Sequence, residues 1–281
     1  MRTIQNLSEN FSDGLLFPKG TSAERGNPEA GYFRYNTETK GIEVYDGTSW
    51  SSMDNTPSYV TDGLVLNLDA GNLNSYDGSG TTWSDLSQEG NDGTINGATY
   101  DSNGYFTFDG SNDDVTVNSS SPVTPDTGDF SVEIIYMLKG SGSRGGVHER
   151  VNGSAYNGLS FGQGGNNSWT FYITGTSNYN NGLTVYFSYP TLNIWNHDIG
   201  VYSGGNTVSA YRNGSFVDSQ TGSQQGNLSQ QGVRNPLIIA KRDATSSPLP
   251  SDFAIVRVYD KALSSDEITQ NFNATKTRFG L

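Results

Sequence analysis

Four groups of side chains in this sequence have the types and spacing to do chemistry. In "FDGSNDD", Asp109, Asn112, Asp113 and Asp114 place oxygen donors within six positions, the ligand type of a hard cation. Glu133 in "FSVEIIYML" is an acid on a strand-like run. Hydrolysis of a glycosidic bond with retention needs a second carboxylate roughly 5 Å away, which on a strand means position i+2 or i+4. Its same-face neighbours are Ser131 and Ile135, so the pair is missing and Glu133 is expected at a strand edge or facing a turn. Ser160 in "GLSFG" copies the letters of a nucleophile elbow, but within a strand-like run rather than a strand, turn and helix. His148 and His197 cannot form a three-histidine zinc site, and neither has H-E-x-x-H spacing. What remains is recognition chemistry. Aromatic rings stack on sugar faces while amides bond hydroxyls, and "GGNNSWTFYITGTSNYNNGLTVYFSY" (164–189) has that content. Trp169, Phe171 and Ile173 alternate there as one inward strand face, which leaves Tyr179, in "GTSNYNNG", as the candidate glycan contact.

The elements that position these groups follow from composition. Only 33% of the residues are hydrophobic and 35 of 281 are Gly, favouring many short strands over long amphipathic helices. Sixteen Tyr and 13 Phe supply the bulk of a core. A net charge of −13 repels phosphate backbones and anionic lipid, which excludes nucleic-acid binding, and no apolar run approaches the ~20 residues that span a bilayer. The opening "MRTIQNLSENFSDG" lacks the apolar core of a signal peptide, so synthesis and folding in a cytosol are expected. Without cysteine there is no disulfide, thiol nucleophile or thiolate metal site.

Along the chain, "GYFRYN" and "KGIEVYDG" alternate as a hairpin, with Tyr32, Arg34 and Asn36 on one face and Phe33 and Tyr35 on the other. Ile42, Val44 and Trp50 add apolar cover. "SSMDNTPSYV" (51–60) is a linker by composition, which sets two segments, 1–56 and 57–281. Beyond it, strand candidates arrive at short intervals from "GLVLNLDA" to "FAIVRVYD", the pattern of a sandwich or barrel. Asn213-Gly214 in "AYRNGSFVDS" marks a type I′ hairpin. One helix is expected, at the end, opened by a capping box from Ser264 to Glu267 with an apolar stripe of Leu263, Ile268 and Phe272.

The ordered signatures "GLVLNLDAGNLNSYDGSGTTWSDLSQEGNDGTI", "YFTFDGSNDDVTV", "FSVEIIYM", "WNHDIGVYSGGNTVSAYRNGSFVDS" and "FAIVRVYDKALSSDEITQNFNA" resemble the laminin G-like, concanavalin-A-like jelly-roll family. That resemblance implies an all-β sandwich of two antiparallel sheets with a short C-terminal helix. The family often binds calcium through loop carboxylates, which makes Asp109, Asp113 and Asp114 candidate calcium ligands; the competing reading is a solvated acidic turn. "LLFPKGTSAERGNPEAGYFRYNTETKGIEVYDGTSW" is similar to a small module of tailed-bacteriophage structural proteins, particularly fibres and appendages. Together they imply a non-enzymatic virion protein with no required cofactor. Its partners would be other virion proteins of capsid or tail, a homo-oligomeric or multicopy arrangement on the particle, and a host-surface glycan. Phe33, Tyr35, Tyr45 and Trp50, too many aromatics for one hairpin to bury, are the expected attachment interface.

Overall fold

The computed structural model describes residues 18–26, 28–38, 41–52, 58–117, 122–141, 145–150, 158–163, 168–175, 182–223, 228, 235–242 and 248–281. By its contacts the chain divides into two units, Met1–Pro57 and Ser58–Leu281.

In the first unit the expected hairpin, β2 (Tyr32–Asn36) and β3 (Gly41–Tyr45), is flanked by β1 (Lys19–Gly20) and β4 (Trp50–Ser52) in the order β1-β2-β3-β4. Register sets its faces: Tyr32 lies opposite Tyr45, Arg34 opposite Glu43, and Tyr45 opposite Trp50. One face therefore carries Tyr32, Arg34, Asn36, Glu43, Tyr45 and Trp50, and the other Phe33, Tyr35, Ile42 and Val44. Trp50 thus parts company with Ile42 and Val44, its expected companions.

Residues 51–60 are not a continuous linker. Ser51 and Ser52 belong to β4. Val60 N donates to Asn271 Oδ1 at 2.8 Å and Gln270 Nε2 to Ser58 O at 2.8 Å, so 58–60 are fastened to the second unit. Residues 53–57 between them lie outside the described residues.

The second unit is a sandwich of two antiparallel sheets. The first runs in the order Ser215–Thr221, Thr207–Arg212, Trp195–Ser203, Phe130–Leu138, Ser251–Tyr259, Tyr105–Phe108, Thr99–Asp101, with Leu64–Asp69 also paired to Ser251–Tyr259. The second runs Leu183–Phe187, Trp169–Thr174, Gly158–Gln163, Gly146–Arg150, Ile238–Ile239, Asp114–Val117, Gly93–Asn96, Thr82–Trp83. Between them lies one aromatic-rich core that includes Trp83, Phe106, Tyr136, Phe161, Trp169 and Phe171. Tyr136 of one sheet stacks on Trp169 of the other at 4.5 Å. Gly200 is needed for this approach, since a Cβ there would lie 2.3 Å from the Phe171 ring. Asn213 and Gly214, at φ 51° and 74°, make the type I′ turn.

The C-terminal helix, Ser265–Phe279, forms both hydrogen bonds of the Ser264–Glu267 capping box and ends at Gly280 in the left-handed region. Leu263 and Ile268 close a staple over the outer face of the first sheet, packing with Val60, Ile199 and Tyr259. Phe272 lies parallel to the His197 ring at 5.7 Å.

Beneath this helix sits Glu133, on a central strand and fully buried rather than at an edge. Alternation alone could not show that its neighbours in space supply charge. Its Oε1 accepts from Arg257 Nη1 at 2.9 Å and lies 2.9 Å from His197 Nε2; its Oε2 accepts from Asn271 Nδ2 at 2.7 Å. Burial raises the carboxyl, but Arg257, His197 and Asn271 outweigh it and hold its pKa at about 2, against an ordinary 4.5. The Tyr59 ring, 4.1 Å from the Arg257 guanidinium, covers the cluster from the start of the unit.

A depressed folded pKa contributes stability that is present above the ordinary value and lost as pH falls through the folded one. Acid titration should therefore remove about 3 kcal/mol as pH drops from about 4.5 to about 2. Glu133→Gln should cost roughly 3–5 kcal/mol at pH 7 by stranding Arg257, and should flatten that acid limb, as urea unfolding at several pH values would show.

Candidate functional site

Of the sequence-derived candidates, the acidic loop is the simplest to place. Asp113 Oδ2 accepts from the Asp109 amide at 2.9 Å, and Asp109 Oδ1 accepts from the Ser111 amide at 2.7 Å, so these carboxylates close a turn. Asp114 Oδ1 accepts from Asn96 Nδ2 at 2.8 Å and from Thr116 Oγ1 at 3.1 Å, while its Oδ2 lies 3.6 Å from Lys241 Nζ. The three are neighbours in this loop, yet among the described residues no group of three acidic, histidine or cysteine side chains is placed to hold a metal ion. Asp85 behaves similarly, accepting from the amides of Asn67, Ser87 and Asn91. Burial, with Asp109 and Asp114 nearby, raises the Asp113 carboxyl above the ordinary range.

The two histidines lie on different sheets. His197 is part of the Glu133 cluster, while His148 stands on the second sheet with its Nδ1 2.9 Å from Ser160 Oγ. Ser160 is a strand residue directly opposite His148, so the elbow-like letters encode a ladder pair. Register continues this row across the second sheet as Ile238, His148, Ser160, Tyr172 and Thr184. Its side chains lie on the opposite side of the sheet from the core, where His148 and Tyr172 are nonetheless buried and Ser160 and Thr184 are half-buried, whereas Trp169, Phe171 and Ile173 are fully buried within the core. Tyr179 lies outside the described residues. Beside the row, Tyr186 is 58% exposed, an aromatic that sequence reasoning passed over although the inward alternation of Leu183, Val185 and Phe187 points it outward.

In the first unit the two faces have opposite chemistry. Residues 21–25 fold over the Arg34–Glu43 side, where Glu43 accepts from Arg25 Nε at 3.2 Å, Arg25 Nη2 at 2.6 Å and Asn36 Nδ2 at 3.0 Å, with Arg34 Nε 3.4 Å away. The hydrogen bond from Arg25 leads the effects that lower the Glu43 pKa, and Asn36 and Arg34 add to it. Tyr45 and Trp50 belong to this face, their rings 5.4 Å apart. Phe33 and Tyr35 stand on the opposite face, 40% and 37% exposed. The four residues expected to form one attachment patch are thus divided between two surfaces.

Two packed antiparallel sheets around an aromatic core define a concanavalin-A-like β-sandwich. Sequence comparison narrows the class: residues 109–269, more than half of the chain, match the laminin G branch of the concanavalin A-like lectin/glucanases superfamily, and the chain belongs to that family. No curated protein matches the sequence. Among solved structures, Trypanosoma rangeli sialidase is similar at 13% identity and a TM-score of 0.57, covering 91% of this chain and 46% of the sialidase. The binding domain of botulinum neurotoxin serotype D is similar at 12% identity and a TM-score of 0.53, covering 76% of this chain and 52% of that one. A botulinum neurotoxin DC binding domain, solved with rat synaptotagmin II, gives 16% and 0.54, with coverage of 76% and 52%. This chain thus spans about half the length of these structures, and at such identities the likeness is one of fold.

If Asp113 closes a turn rather than holding a cation, Asp113→Ala should lower stability by about 1–3 kcal/mol through the unpaired Asp109 amide. Thermal unfolding with calcium and with a chelator checks this, because the loss should be equal in both.

Proposed function

We propose that this chain is a non-enzymatic structural protein of a tailed-bacteriophage virion. Its first unit docks to other virion proteins, of capsid or tail, and its sandwich faces outward to bind host-surface carbohydrate. The observation that carries the docking role is the inversion in the first unit. A buried centre made of Arg34, Asn36 and Glu43 leaves Phe33 and Tyr35 on an open face, where a partner can cover them. The "RYNTET…IEVYDG" signature, with its resemblance to a phage appendage module, supports the setting.

Membership in a lectin and glucanase family supports carbohydrate as the ligand of the sandwich, as do the structural neighbours, among them a sialidase solved with sialic acid. Exposed Tyr186, two positions from half-buried Thr184 on the same strand face, offers a stacking ring with a hydroxyl next to it. Hydrolysis is disfavoured because Glu133 is committed to Arg257, His197 and Asn271, and its same-face strand neighbours Ser131 and Ile135 give it no second carboxylate. A host-recognition lectin is therefore the alternative emphasis, and a glycosidase a distant third.

Full-length Phe33→Ser/Tyr35→Ser should fold normally, since both rings are already exposed, yet join particles at least tenfold less than the parent in a complementation and pelleting assay. Normal incorporation would assign docking elsewhere. On a glycan array the parent chain should bind host-type glycans without releasing sugar, and Tyr186→Ala should weaken that binding; silence across the array would leave the sandwich a coat element only.

A further inference from the structure

The C-terminal helix has little apolar grip on the sheet beneath it. Of its 15 residues, Ile268, Asn271, Thr275 and Phe279 are buried, and two of these are polar. Thr275 Oγ1 donates to Asn271 O at 3.0 Å, within the helix itself. Asn271 therefore carries the polar tie from this face to the sheet. Its Nδ2 donates to Glu133 Oε2 at 2.7 Å and to Tyr259 Oη at 2.9 Å, which uses both hydrogens.

The acceptor end of the same amide points to the chain's entry into the sandwich. Asn271 Oδ1 accepts from Val60 N at 2.8 Å, and Val60, 6% exposed, packs with Leu263 and Ile268. One residue back, the Tyr59 ring lies 4.1 Å from the Arg257 guanidinium. Its hydroxyl accepts from Asn67 Nδ2 at 3.0 Å, and Asn67 Oδ1 accepts from Arg257 Nε at 3.0 Å. Ser58 O accepts from Gln270 Nε2 at 2.8 Å. Three successive residues thus hold the helix and cover the Glu133 cluster at once. Their departure would leave Asn271 Oδ1 unmatched and Ile268 without an apolar neighbour, whereas the core between the sheets, on the other side of the first sheet, would lose nothing. The far end of the helix has its own anchor, because Arg278 donates through Nη1 to Asp69 Oδ1 and through Nη2 to Gly104 O, each at 2.6 Å.

We propose that Ser58–Val60 is a strap. Seated, it fastens the first half of the helix to the sheet; displaced, it frees that half while Arg278 keeps the last turn in place and the sandwich stays closed. The second unit begins at Ser58, so the joint with the first unit and the fastening of the helix are the same three residues. Hydrogen exchange of the full chain at pH 7, read by mass spectrometry, tests this because openings of different extent report separately. Tyr59→Ala and Val60→Ala, made separately so that one failing to fold leaves the other to be read, should each speed exchange of amides 269–273 about tenfold, the size of one lost contact of this kind, with amides 276–279 at the parent's rate. Phe161→Leu, in the core between the sheets, should speed exchange in the strands and leave amides 269–273 unchanged. Helix amides that neither strap variant moves, equal acceleration at 276–279, or helix amides that follow Phe161→Leu as closely as the strands do would overturn the proposal. The measurement is made on the chain alone, so it stands apart from the docking reading.

Discussion

A buried carboxylate has to be matched, and in this protein that requirement organises each unit. In the sandwich, Glu133 takes Arg257 from a neighbouring strand, His197 from another and Asn271 from the C-terminal helix, all within 2.9 Å. Asn271 in turn accepts from the amide of Val60, so the start and end of the unit are held at one point. Replacing one partner leaves a charge without its match, whereas apolar residues could fill the space without tying three elements together. The aromatic core between the sheets supplies bulk burial; the cluster outside it decides where the helix sits.

The first unit repeats the logic on a smaller scale. Glu43 draws in Arg25 and Asn36, with Arg34 beside it, and the covering turn at 21–25 follows from those bonds. A sheet with so few residues cannot bury a large apolar core. By placing polar groups inside, it keeps its aromatic side chains for other surfaces: Phe33 and Tyr35 on one face, Tyr32 and Trp50 on the other.

Features whose cause is local were legible in the sequence. Asn213-Gly214 needs positive φ at both positions, Ser264 and Glu267 cap each other across one turn, and the alternation in "SWTFYIT" places Trp169, Phe171 and Ile173 inward. Features whose cause is distant were not. Glu133 reads as an edge acid because its partners lie 64, 124 and 138 positions away in the chain. The strand Gly146–Arg150 carries His, Glu and Arg in succession, so no apolar pattern announces it, yet it lies inside the second sheet. The pairs Lys19–Gly20 and Thr82–Trp83 are too short for any period to register. At the candidate sites, the acidic density of 109–114 was legible but the bond by which Asp113 closes the turn was not, and the aromatics grouped as one patch are split by the register of β2, β3 and β4.

The proposed function divides the labour between a docking unit and a displayed sandwich. A cryo-EM map of the particle tests it most directly, because it shows what each unit touches. Such a division would place Phe33 and Tyr35 in density against a neighbouring virion protein, with the sandwich projecting into solvent. A map with the sandwich seated in the particle and the first unit free would contradict it.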